Sequence, residues 1–186
     1  MEKKIPELTS ALREKDGVHI FYLSEEEEAY IKNILVFILD GIKNGDYIFI
    51  VENPRLTPAI YQRLEQLVTK DELKSVQFTN NFEFYWSEGN FLPVSIIEYF
   101  KAKLNEATSE EKFFRTWGHI EWGSGDDIED EILLYDKSAT QFISENKFIA
   151  VCAYDLTRVS AGLQEKLRMR HIYLMEDDRI NEIAVS

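Results

Sequence analysis

Three stretches of the chain are apolar almost without a break yet too short for helices: Val18 to Leu23, Tyr47 to Val51 and Phe148 to Tyr154. A strand with one wet face alternates apolar and polar side chains. A near-continuous run is covered on both faces, which is the habit of parallel sheets buried between helices. Longer stretches with a different period lie between these runs. Tyr30, Ile31, Ile34, Leu35, Ile38 and Ile42 recur at helical spacing and end at Gly45. Ile60, Leu64 and Leu67 do the same after Thr57-Pro58, as do Ile96, Ile97, Phe100 and Leu104 after Pro93. Ile128, Ile132, Tyr135, Ala139 and Phe142 step by four and three, and Val159, Leu163 and Leu167 by four. Ser24 is expected to cap the first of these helices, with Glu25 to Glu28 in its first turn, and Thr57 to cap the second with Pro58 at its first position.

Weaker strand signals cover Ser75 to Thr79 and Phe113 to Trp117. Phe82 to Trp86 reads as a short extended piece, Gly118 to Asp127 as a loop, and Ile172 to Met175 as an edge strand. Strand and helix alternate throughout, which implies right-handed crossovers. The expected class is α/β, a three-layer fold with a mainly parallel central sheet flanked by helices.

The 186 residues suit one domain, and an apolar fraction of 45% suits a globular one. A net charge of −13 argues against direct nucleic-acid binding, which draws on clustered Lys and Arg, and against anionic membrane surfaces. A single cysteine, Cys152, cannot form an internal disulfide, no signal peptide is read, and no apolar run is long enough to span a bilayer. The cytoplasm is the expected compartment.

Ligands of open parallel sheets gather at the carboxyl ends of the strands. Those ends carry Tyr22 and Ser24, Glu52 and Asn53, His119, Glu121 and Trp122, and Asp155. A phosphate cradle is not among them: the first strand-to-helix turn, Ser24-Glu25-Glu26-Glu27-Glu28, has no glycine to let backbone N–H groups close on an anion. Binding of a nucleoside triphosphate in the usual mode is not expected, and Lys32 reads as a surface lysine. No Gly-x-Ser-x-Gly turn presents a serine, and Cys152 sits in an apolar strand where a thiol is inert. His119, Glu121, Asp126 and Asp127 crowd one loop but match no metal spacing, so neither metal nor cofactor is assigned. His19 lies inside a strand, as a core histidine or a site residue. His171 follows the basic segment Lys166 to Arg170 and reads as surface.

Arg115, in a strand, must be paired, either with a helix carboxylate or with a ligand. One arrangement joins these residues. Arg115, Trp117 and His119 would form a wall beside Tyr154 and Asp155, with Arg115 pairing to Asp155 when the site is empty. The expected ligand-binding set is therefore His19, Tyr22, Arg115, Trp117, His119, Glu121, Tyr154 and Asp155, with no catalytic residue.

The segments Val18-His19-Ile20-Phe21-Tyr22, Gly41 to Asp46, Arg115-Thr116-Trp117-Gly118 and Cys152-Ala153-Tyr154-Asp155, in that order, with an acidic helix before the last, resemble the MEDS family of sensory domains. The resemblance implies a sensory domain over 17–176, with an extension at 1–16 and a tail at 177–186. It implies a RecA/KaiC-like core whose Walker A element is degenerate. It also implies a non-catalytic role: binding a small organic molecule and signalling through a partner protein, an arrangement with which a homodimer is compatible. The family often has Gly-Glu after the arginine motif, where this chain has Gly118-His119. Two rivals stand beside this reading. A ligand-free protein-interaction module in signalling or transcription control would pack its edge dry with Tyr22, Trp117 and Tyr154. An enzyme of unrecognised type would hold His119 and a carboxylate within hydrogen-bond reach in a cleft.

Overall fold

The computed structural model describes residues 1–86, 91–123 and 128–183. The apolar runs are strands: β1 (Val18–Ser24), β2 (Tyr47–Glu52), β3 (Val76–Asn80), β4 (Phe114–His119), β5 (Ile149–Asp155), β6 (Tyr173–Met175) and β7 (Ile180–Glu182). They form one sheet in the order β3-β2-β4-β5-β1-β6-β7. Every pairing is parallel except that of β6 with β7. Period-two alternation sends the side chains of each strand to two separate cores. One contains Ile20 and Tyr22 of β1 and Trp117 of β4 beneath α1 (Lys4–Leu12), α2 (Glu27–Lys43) and α3 (Thr57–Leu67). The other contains Phe21, Phe49 and Tyr154 beneath α5 (Asn81–Tyr85), α6 (Pro93–Ser109), α7 (Ile128–Asn146) and α8 (Ala161–Arg168). The short α4 (Lys70–Leu73) leads into β3 and carries a capping box between Thr69 and Glu72. The expected α/β sandwich of helices around a mainly parallel sheet is the observed one.

Five local expectations differ from the structure. Ser24 ends β1 and does not cap α2, whose cap position is Glu26 with no side-chain bond. Thr57 is already helical, so Pro58 stands one place later than expected. Phe82 to Trp86 is not extended: Asn80 accepts a hydrogen bond from the Phe82 N–H and starts α5. The segment at Ile172 to Met175 is not the edge, because β7 pairs outside it. β4 also runs on through His119, so the loop begins later than Gly118, and its residues 124–127, Asp126 and Asp127 included, lie outside the described residues.

The strand order decides where chemistry can gather. α2 carries the chain from β1 to β2 across the places of β5 and β4. The carboxyl ends of β1, β5, β4 and β2 therefore stand in a row, with Ser24 in register with Asp155 and His119 with Ala153.

Candidate functional site

On the α2 side of that row lies a cleft of about 220 Å³. Ser24 and Asp155 come to it from the neighbouring ends of β1 and β5, and His119 from the end of β4. Glu25, Glu27 and Tyr30 line it from the start of α2, and Arg55 and Leu56 from the segment after β2. Its wall is mainly polar and its back is a built hydrogen-bond chain. Trp117 Nε1 donates to the Tyr30 hydroxyl at 2.9 Å, and that hydroxyl donates to Glu52 Oε2 at 2.5 Å. The other oxygen of Glu52 accepts from the Asn53 N–H and pairs with His119 Nδ1, both at 2.6 Å. Glu52 is wholly buried and His119 nearly so, at 8% exposure. Burial pushes the imidazolium down, but the Glu52 bond, with Glu121 and Asp155 nearby, outweighs it and holds the His119 pKa above the ordinary histidine value. Its Nε2 has no partner among the described residues. Asp155 Oδ1 accepts from the Thr157 N–H and hydroxyl, and its Oδ2 has no partner among them.

The expected set divides. His119 and Asp155 line the cleft, and Trp117 stands behind it, fully buried against Tyr22, Tyr30 and Phe37. Glu121 lies beside it, accepting from Asn53, Asn81 and Arg158. Tyr154 faces the other core, against Phe21 and Trp122. His19 also points to that side, where it meets Thr140 and Cys152. His171 is buried there too, at 1% exposure, contrary to a surface position.

Arg115 does share a face with Trp117 and His119, but it does not reach Asp155. It is in register with Ile149, at the opposite end of β5, and pairs with Asp40 at 2.8 Å and Asp46 at 2.5 Å. Gly41 makes room for it: a Cβ there would stand 2.9 Å from the arginine's Cδ. The structural ion pair is the observed role.

Tyr22 sits under the first strand-to-helix turn. Its hydroxyl donates to Asp177 Oδ1 at 2.7 Å. Asp177 Oδ2 accepts from the backbone N–H groups of Glu25 and Glu26, at 3.2 and 2.9 Å. A carboxylate from beyond β6 thus occupies the donors that begin α2.

Three contributors were missed by sequence reasoning: Tyr30, which reads as part of an apolar stripe, Glu52, visible only as a strand end, and Asp177. The expected alternative of a helix carboxylate for Arg115 is met by Asp40 of α2, whereas Asp46, between α2 and β2, was not anticipated as a partner.

The sequence profile of MEDS, the MEthanogen/methylotroph, DcmR Sensory domain, matches residues 18–171. No curated protein matches the chain. Among solved structures, the chain is similar to an ATPase domain, with a TM-score of 0.57 at 9% identity, covering 87% of this chain and 69% of that one. A structural-study protein from Pyrococcus horikoshii OT3 gives 0.54 at 13%, covering 95% and 90%. The flagellar accessory protein FlaH from Methanocaldococcus jannaschii gives 0.50 at 11%, covering 87% and 71%. At such identities the likeness shows the fold alone, that of RecA-like ATPase domains. No helix among the described residues is long and apolar enough to cross a membrane.

Proposed function

The chain belongs to the MEDS family, and from that premise we propose that it is a sensory or regulatory domain that binds a small polar organic molecule in the cleft and reports through a partner protein, reaching nucleic acid only through that partner. The observation that carries this is the open, polar cleft lined by both His119 and Asp155, whose Nε2 and Oδ2 have no partner among the described residues. Its volume equals roughly seven waters of about 30 Å³ each, smaller than the ~300 to 1,000 Å³ of drug-sized sites. A molecule of a handful of heavy atoms would fill that volume, and the open mouth admits a larger one. Arg55 offsets Glu27 at 2.8 Å, which leaves Glu25 and Asp155 to disfavour an anion. An uncharged or amine-bearing molecule with an oxygen acceptor for His119 and a donor for Asp155 fits best.

We read the β1–α2 turn as a degenerate Walker A element, because Asp177 already takes its backbone donors. Hydrolysis of nucleoside triphosphates is accordingly not part of this function. The dry-edge condition of a pure interaction module is half met: Tyr22, Trp117 and Tyr154 are all buried, yet the cleft stands open beside them. One observation favours a second reading, general acid–base catalysis in the same cleft: His119 is held by a buried carboxylate at 2.6 Å.

Native mass spectrometry of the gently purified chain, followed by a thermal-shift screen of small alcohols, amides and amines, tests the proposal. Binding should raise the melting temperature. His119→Gln and Asp155→Asn should each abolish the shift while leaving the fold intact. A shift undiminished in both variants removes the cleft as the site, and conversion of the bound molecule to product moves the assignment to the catalytic reading.

A further inference from the structure

On the far face of the sheet, away from the cleft, three ionisable side chains meet without solvent. His19 of β1, Asp136 of α7 and His171, just past α8, are 6%, 0% and 1% exposed. Their donor atoms all lie within 4.8 Å of one another. The hydrogen bonds around them fix where the lone pairs point. His171 Nδ1 is 2.8 Å from the Leu167 carbonyl, which only accepts, so Nδ1 carries the proton and Nε2 the lone pair. The Thr140 hydroxyl donates to the Asp136 carbonyl, so it accepts from His19 Nδ1 at 2.8 Å and leaves the His19 lone pair on Nε2. That Nε2 faces Cys152 Sγ at 3.0 Å.

The result is a buried pocket of acceptors. Both carboxylate oxygens of Asp136 and His171 Nε2 lack any hydrogen-bond donor among the described residues, though Asp136 Oδ1 and His171 Nε2 stand only 3.3 Å apart. Native interiors rarely leave such groups unpaired, and a shared cation, whether a proton or a metal ion, would satisfy all three.

We propose that His19 Nε2, His171 Nε2 and an Asp136 oxygen bind a divalent transition-metal ion of the zinc class, with Cys152 Sγ as the fourth donor. Two imidazoles, a carboxylate and a thiolate are a zinc-type donor set. Tetrahedral bond lengths place such donors roughly 3.3 to 3.6 Å apart, so shifts of about an ångström bring the two imidazoles and the carboxylate onto one ion, while Cys152 Sγ approaches it beside His19 Nε2, 3.0 Å away. Each histidine already donates its other ring N–H to an oxygen, the outer-shell pattern that orients metal-ligating imidazoles. On binding, the Cys152 S–H proton leaves to solvent and the sulfur's electron pair forms the bond to the metal. The ion would tie α7 and the segment after α8 to β1 and β5. This site is independent of the ligand proposed for the cleft.

Because the pocket is closed, the test loads it during folding. The full chain is refolded from denaturant with zinc sulfate, passed over a sizing column and analysed by inductively coupled plasma mass spectrometry. About one zinc per chain is expected, with a higher melting temperature than the chain refolded in chelator. Asp136→Asn and His171→Gln, confirmed as folded by circular dichroism, should each lose most of that metal. Thr140→Val, which removes only the orienting acceptor, should weaken affinity about 10- to 100-fold. Refolding with cobalt reports the fourth donor: a sulfur-to-metal charge-transfer band should appear and vanish in Cys152→Ser. A folded wild-type chain that retains no metal overturns the site, as does metal undiminished in both folded variants. Tetrahedral cobalt without the sulfur band removes Cys152 from it.

Discussion

His119 is held by partners the chain supplies from far away. Glu52 precedes it by 67 positions and Tyr30 stands on α2. The histidine itself was legible as a strand-end residue, but the carboxylate that sets its charge was not, because nothing local in the sequence marks their pairing. The raised pKa has a measurable sign. An unfolded histidine titrates near 6.5. The His119–Glu52 pair therefore contributes its full stability below that pH and loses it as pH rises through the higher folded value. Urea unfolding of wild type and His119→Gln across this range should show a difference that is largest on the acid side and shrinks above neutrality. Asp136, which burial raises to about 7, titrates in the same range in both proteins and cancels in the difference. A difference that does not change with pH would refute the charged pair.

α2 lies close over β2 and β4 because Gly41 presents no side chain to them. A Cβ there would come within 2.8 Å of Ile48 and 2.9 Å of Arg115. Gly41→Ala is expected to destabilise by about 1 to 3 kcal/mol through overpacking. Arg115→Met, which takes the cation from Asp40 and one of two from Asp46, whose other partner is Arg13 at 2.7 Å, should lose about 3 kcal/mol. Equilibrium unfolding in denaturant checks both, and a neutral Arg115→Met would mean the network adds nothing to stability. The helices and central strands were readable because burial on one stripe or on both faces writes a period into the sequence. α5 was not. Phe82-Glu83-Phe84 has the strand's alternation, but the Asn80 side chain starts a helical turn that buries Phe84 and Tyr85 and leaves Phe82 51% exposed. β6 was read as a strand but at the edge, because three-residue β7 is too short for any period and only its pairing with β6 defines it.

The sheet separates two chemistries, a wet polar cleft on one side and a closed set of acceptors on the other. The final described segment ties itself to the cleft side. Lys4 donates to the Asp178 carbonyl, Asn33 to the Asp177 carbonyl, and β7 closes the sheet. None of this was legible, since an aspartate after a short strand looks like any surface acid. Asp177→Ala, which removes an ionic acceptor from the Tyr22 hydroxyl and from two backbone N–H groups, should lower stability by about 1 to 3 kcal/mol, measured as a lower denaturant midpoint; an unchanged midpoint would mean the carboxylate holds nothing. There is also a consequence for dissolved anions. The Asp177 carboxylate is tethered, so it competes at an effective concentration on the order of millimolar or more, and a free phosphate must exceed that before it displaces it. In wild type, submillimolar phosphate should leave the amide resonances of Glu25 and Glu26 where they are. The turn that begins α2 is thus insulated from the ordinary anion content of its surroundings by an anion of its own.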